Sequence, residues 1–208
     1  MQRRTFLAGA TLAAALGMGR LPALAAANVS LNDVLHDPDA PEGGNPKGDL
    51  TIVSFSDYNC PFCKKAEPDL ARAVREDGNI RLVYKDWPIL SQASVYGARM
   101  ALAAQYQGSY ERAHHALMAI SGRTVSQEDM EKALAAAGID MQRLKADLET
   151  KKKQITALLA RNMDQADALG LQGTPTYLIG PLLASTLDYE GFREAIAEAR
   201  RRQAGDAQ

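Results

Sequence analysis

Cys60 and Cys63 are the only cysteines among 208 residues, and only Pro61 and Phe62 separate them. A disulfide between them would close almost no loop, so it would do little to restrict the unfolded chain. Such a pair cannot staple distant parts of a fold, and reactive thiols are the better reading. The segment before it, Leu50 to Phe55, is short, apolar and rich in Thr, Ile and Val, which predicts a buried strand. The segment after it, Lys64 to Arg75, reads as a helix. A thiol at a helix N-terminus meets unpaired backbone N–H groups and a partial positive charge. Both stabilise its anion and lower its pKa. Cys60 is therefore expected to attack, nearer the surface, and Cys63, one turn further in, to be more buried and to resolve the mixed disulfide. Pro61 suits the first turn because no N–H is needed there, and Pro68 falls inside the same helix.

The elements that must hold this pair follow from periodicity. Asp37 to Gly48 reads as an irregular lead-in, and Ile80 to Tyr84 as a second strand. From Ser91 to Gly170 the pattern is helical. Val95, Ala98, Leu102 and Tyr106 share one face. Ser126 with Asp129 forms a capping box, and Asp140 can cap the helix carrying Met141, Leu144 and Leu148. A longer helix carries Ile155, Leu158, Leu159, Ala166 and Leu169. After Gly173, Thr176 to Ile179 and Leu182 to Ala184 read as strands around a Gly180-Pro181 turn. Asp188 then caps a final helix with Phe192, Ile196 and Ala199 inward, and the polar tail from Arg200 is expected to fray. Neither end has enough strands for a sheet alone, so the two ends must share one. The fold class is α/β, with a helical segment inserted between the halves of the sheet.

The chain is identified as a member of the thioredoxin superfamily, and within it resembles the DsbA-like exported thiol:disulfide oxidoreductases. The residues that carry the resemblance are Phe55-Ser56-Asp57-Tyr58-Asn59-Cys60-Pro61-Phe62-Cys63-Lys64, Pro68, Asp86-Trp87-Pro88 and Gly173-Thr174-Pro175-Thr176. The resemblance implies a thioredoxin-like fold, a cis-proline at Pro175 facing the cysteines, and a substrate-binding role for Thr174 and Pro175 beside Pro61 and Phe62. It implies no cofactor. It implies exported protein substrates with thiols or disulfides, and a membrane redox partner, DsbB-like or DsbD-like. Two departures bear on the chemistry. Ser54 stands where the family often buries an acid, six positions before the first cysteine. Phe62 stands where the strongest oxidants carry His, so a less depressed Cys60 pKa and a less oxidising disulfide are expected. The separation from cleavage site to first strand is short for a dimerising extension, which favours a monomer acting as oxidase or reductase.

The N-terminus reads as an export signal. Arg3 and Arg4 precede an apolar stretch from Phe6 to Met18, and small residues cluster at Ala23, Ala25, Ala26 and Ala27. That stretch is too short to span a bilayer, which takes about 20 apolar residues. Arg3-Arg4-Thr5-Phe6-Leu7 resembles a twin-arginine signal, implying periplasmic export. The expected division is residues 1–27 signal, 28–90 the first part of the thioredoxin-like domain, 91–170 the helical insertion and 171–208 the remainder. The signal holds three of the 24 basic residues and none of the 25 acidic ones, so the mature charge is -4. Nothing in that balance suggests a nucleic-acid partner, and no second apolar segment is long enough to span a membrane. His114 and His115 are expected to point to different sides of a helix, and no metal site is assigned to them. Two thiolates do suit a soft ion such as Cu(I), so an extracytoplasmic copper-binding protein using Cys60 and Cys63 is the alternative reading. A holdase, indifferent to Cys60→Ser, is a third. Lys64 and Lys65 are read as solvated, Trp87 as packing, and Asp57 and Tyr58 as residues shaping access to the pair.

Overall fold

The structure, a computed structural model, describes residues 29–122 and 125–206. The expected export signal lies outside the described residues. Among them, five strands form one sheet in the order β1-β3-β2-β4-β5. The strands are β1 (Glu42–Gly44), β2 (Leu50–Ser56), β3 (Ile80–Asp86), β4 (Thr176–Ile179) and β5 (Leu182–Ser185). β2 and β3 pair in parallel, Leu50 opposite Ile80 through Ser56 opposite Asp86, and β1, β4 and β5 pair antiparallel. The strands from the two ends of the chain thus meet in one sheet, as their number required.

β2 and β3 are buried on both faces, which is why their sequences run apolar almost without alternation. Helix α2 (Pro61–Asp77) connects them. It stops where Gly78 takes the left-handed conformation, with φ 72°. Between β3 and β4 come α3 (Gln92–Gln105), α4 (Tyr110–Met118), α5 (Gln127–Ala136), α6 (Met141–Thr150) and α7 (Lys152–Ala168). The Ser126/Asp129 capping box and the Asp140 cap form as expected. The last helix, α8 (Tyr189–Asp206), lies against α2.

Side chains alternate along the central strands between two cores. Leu50, Ile52, Leu82, Tyr84, Tyr177 and Ile179 face the core shared with α2, α3, α4 and α8. Val53, Phe55, Val83 and Leu178 face the smaller core with Trp87, Ala166 and Leu171. Trp87 packs edge-on against Phe55 and its Nε1 donates to Met163 Sδ, so its role is packing.

Three expectations need correction here. The lead-in is not wholly irregular: α1 (Leu31–Leu35) and β1 lie within or just before it. Both are too short for periodicity to reveal, and β1 exists only because β3 offers an edge. The tail does not fray at Arg200. Its guanidinium binds Asp49 and Asp77 at 2.7–3.0 Å, and α8 continues to Asp206. Lys64 is not simply solvated, because its Nζ donates to the Ile120 carbonyl at 2.8 Å.

Candidate active site

Cys60 is the N-cap of α2, with Pro61 in the first turn. Its sulfur accepts a hydrogen bond from the Cys63 N–H at 3.4 Å. Across from it lies the loop before β4, where the Thr174–Pro175 peptide is cis. The Cys60 thiol donates to the Thr174 carbonyl at 3.1 Å. The structure therefore brings Cys60, Pro61, Phe62, Cys63, Thr174 and Pro175 to one place. Two sequence segments more than a hundred residues apart meet there because β2 and β4 are hydrogen-bonded neighbours.

Exposure does not separate the two cysteines as expected. Cys60 is 3% exposed and Cys63 2%. What separates them is hydrogen bonding at Cys60 and deep burial at Cys63. The Cys60 thiol is held well below the usual thiol range, at about 6. The Cys63 thiol, hydrogen-bonding to the Cys60 sulfur, contributes most, against the opposing effect of burial. The Thr174 side chain and the N–H groups of Cys63 and Phe62 add to it. The Thr174 carbonyl works the other way, since it accepts from the protonated thiol only. Burial pushes the Cys63 thiol far up, and the hydrogen bond and charge of Cys60 push it further. One sulfur is thus poised as a thiolate and its neighbour as a thiol. Phe62 gives the thiolate no cationic partner.

The loop leading into Cys60 is braced by its own polar side chains. Asp57 is fully buried rather than lining an access route. Its carboxylate accepts from the N–H groups of Asn59, Ile89 and Leu90 at 2.7–3.0 Å. Asn59 donates to Ser91 Oγ and accepts from the Val125 N–H, tying the loop to α3 and to the entrance of α5. Tyr58 is likewise buried, with its hydroxyl 3.0 Å from His114 Nδ1. Around the cysteines Phe62, Ile89 and Leu90 remain exposed.

Sequence reasoning missed the polar group behind the pair. Glu67 lies one turn after Cys63 on the inward face of α2 and is buried. His114 and His115 do not diverge as expected. Both approach the Glu67 carboxylate, His114 Nε2 and His115 Nδ1 each at 3.2 Å. Burial pushes the Glu67 carboxyl up, but the two histidines outweigh it and hold the group at about 2. The signal was legible in part: Cys63, Ala66, Glu67 and Leu70 share the inward spacing of α2, where an acid needs a partner. Ser54 is buried on β2, opposite Tyr177.

A family model described as Thioredoxin matches residues 37–198. A thioredoxin-like oxidoreductase from Silicibacter pomeroyi DSS-3 is similar at 38% identity and a TM-score of 0.77, over 83% of this chain and 99% of that one. The thiol-disulfide exchange protein α-DsbA2 from Wolbachia pipientis is similar at 28% identity and a TM-score of 0.75, over 80% and 90%. Among curated proteins, the Na(+)/H(+) antiporter NhaA 1 of Salinispora arenicola is 27% identical over 146 residues, 69% of this chain. The chain spans only 22% of that antiporter's length. Among the described residues, no helix is long and apolar enough to cross a membrane.

Proposed function

We propose, from the premise that this chain belongs to the thioredoxin family, that it exchanges disulfides with exported proteins through Cys60 and Cys63. The observation that carries this reading is the contrast between the two sulfurs. The Cys60 thiolate attacks a substrate disulfide, forming a mixed disulfide and releasing one substrate thiolate. Cys63 then loses its proton, attacks the Cys60 sulfur, and releases the second substrate thiolate as the Cys60–Cys63 disulfide forms. Two electrons pass to the substrate, and the reverse sequence oxidises a dithiol. Thr174, Pro175, Pro61 and the exposed Phe62 form the surface that receives the substrate segment, with Ile89 and Leu90 as an apolar rim.

Periplasmic export through the twin-arginine signal in residues 1–27 belongs to this reading, as do a monomeric state and a DsbB-like or DsbD-like membrane partner. So does the division at residues 90 and 170, with the helical segment as an insertion. A relative described as a probable disulfide bond formation protein and a neighbour described as a thiol-disulfide exchange protein support the substrate class.

The deciding experiment is equilibration of the cysteine pair against glutathione. A potential near about -120 mV makes the protein a disulfide donor, and one near about -270 mV a reductant supplied from the membrane. Absence of reversible exchange overturns the proposal and leaves the copper-binding reading. In the same protein, alkylation of Cys60 should rise with pH around a midpoint of about 6 and then level off. A midpoint above 8 would remove the contrast between the sulfurs.

A further inference from the structure

Glu67, His114 and His115 place one ligand atom each within 4.8 Å of one another. Glu67 comes from α2, the helix that opens on Cys60, and the histidines come from α4 of the inserted segment. The carboxylate and the His114 ring are both more than nine-tenths buried. Their hydrogen bonding is incomplete: Glu67 Oε1 and His114 Nε2 have no hydrogen-bond partner. Nε2 lies 3.2 Å from Glu67 Oε2, but the two are not aligned for an N–H to bridge them.

The other face of the His114 ring is fixed. Nδ1 sits 3.0 Å from the Tyr58 hydroxyl, and the ring packs against Tyr58, Tyr84 and Tyr110 at 4.7–5.8 Å between centroids. A ring nitrogen held by an outer partner with its second nitrogen turned to a carboxylate is the arrangement that metal-bound histidines show. A buried carboxylate requires a positive partner, and a cation held between it and the two rings supplies one. A metal ion meets that need without a linear N–H···O, because it requires only converging lone pairs. Tetrahedral zinc, with bonds of about 2.0–2.2 Å, sets its ligand atoms about 3.4 Å apart. His114 Nε2 lies 3.2 Å from Oε2 and His115 Nδ1 3.2 Å from Oε1, so each ring approaches its own carboxylate oxygen near that spacing. A cavity of about 240 Å³ beside His115, lined also by Lys64, Ala71 and Met118, leaves room for a water as fourth ligand.

We propose that Glu67, His114 and His115 bind a divalent ion of zinc's class, clipping the active-site helix to the helical insertion. The donor set of two imidazoles and one carboxylate suits borderline ions, not the soft Cu(I) that two thiolates would take. The site is separate from the exchange chemistry and does not depend on it.

The test is a zinc(II) titration of the full chain with Cys60 and Cys63 joined as a disulfide, in competition with a chromophoric chelator. One equivalent should bind. Cobalt(II) in its place should give visible d–d bands without a thiolate charge-transfer band. His115 is half-exposed, so His115→Gln should fold normally, bind zinc at least about tenfold more weakly, and lose the rise in Tm that zinc gives the parent. Glu67→Gln should weaken binding as much. No zinc bound by the oxidised chain, or parental affinity in His115→Gln, would overturn the proposal. So would a cobalt spectrum dominated by thiolate once the cysteines are reduced, with no site left when they are not.

Discussion

Two clusters of buried charge flank the sheet, and they are built differently. On the face with α7, Lys85 and Arg161 surround Asp37, donating to both carboxylate oxygens at 2.8 Å. The Asp39 N–H adds a fourth bond, and Arg161 also binds the Asp39 carboxylate. Every oxygen of Asp37 is taken, and the charges balance. On the face with α2 and α4, Asp86 accepts from the Tyr110 hydroxyl at 3.1 Å, while Glu67 and His114 each keep an unpartnered atom. A saturated cluster has only geometry to hold. An unsaturated one retains capacity for a proton or an ion, and it is the one behind the cysteines.

The contrast can be broken most severely at the saturated end. Asp37→Ala leaves Lys85 fully buried without a counter-charge, and should cost about 3–5 kcal/mol in urea unfolding. The reduction potential of the cysteine pair should not move. A cost under about 1 kcal/mol would mean that the cluster is not the anchor its bonding suggests.

Glu67→Gln comes next, with a loss of about 1–3 kcal/mol for disturbing a buried partner. It should also change the acid limb. The Glu67 carboxyl sits at about 2, below its ordinary 4.5, so its stabilisation is present above that ordinary value and lost as pH falls towards 2. Asp37, also held at about 2 against burial by Arg161 and Lys85, acts in the same window. Unfolding free energy measured from pH 5 to 2 should therefore fall less steeply in Glu67→Gln than in the parent. Equal slopes would show that the histidines do not stabilise the charge.

Asp86 sharpens the comparison by its opposite sign. Burial raises its carboxyl to about 6, against the opposing effects of His114 and the tyrosine hydroxyls. Its contribution is fully present below the ordinary carboxylate value of 3.8 and is lost as pH rises through about 6. Asp86→Asn should remove that decline between pH 4 and 6.5, read as the difference between the two unfolding curves. The smallest effect belongs to His115→Gln without metal. The pair it breaks is half-exposed, so stability should change by no more than about 0.5 kcal/mol.

Much of the active site was legible because its parts announce themselves locally. The strand before Cys60 and Pro61 in the first turn each have a recognisable neighbourhood, whereas Thr174 and Pro175 were reached through the family resemblance alone. Caps at Ser126 and Asp140 were legible for the same reason, since a cap is written within four residues. The misreadings share the opposite cause. β1 is held by pairing to β3, Arg200 orders the tail by reaching Asp49 and Asp77, and Asp57 looked like an access residue until Ile89 and Leu90 closed over it.

By itself the sequence determined that two thiols lie together at a helix start, and that a helical segment interrupts a shared sheet. Those follow from spacing and periodicity, which short-range physics reads directly. Only the tertiary structure decided that His114 and His115 both reach Glu67 and that exposure scarcely distinguishes Cys60 from Cys63. Adjacent positions on an isolated helix diverge by about 100°. They converge on one carboxylate here because α2 packs against α4 and Glu67 presents one oxygen to each ring.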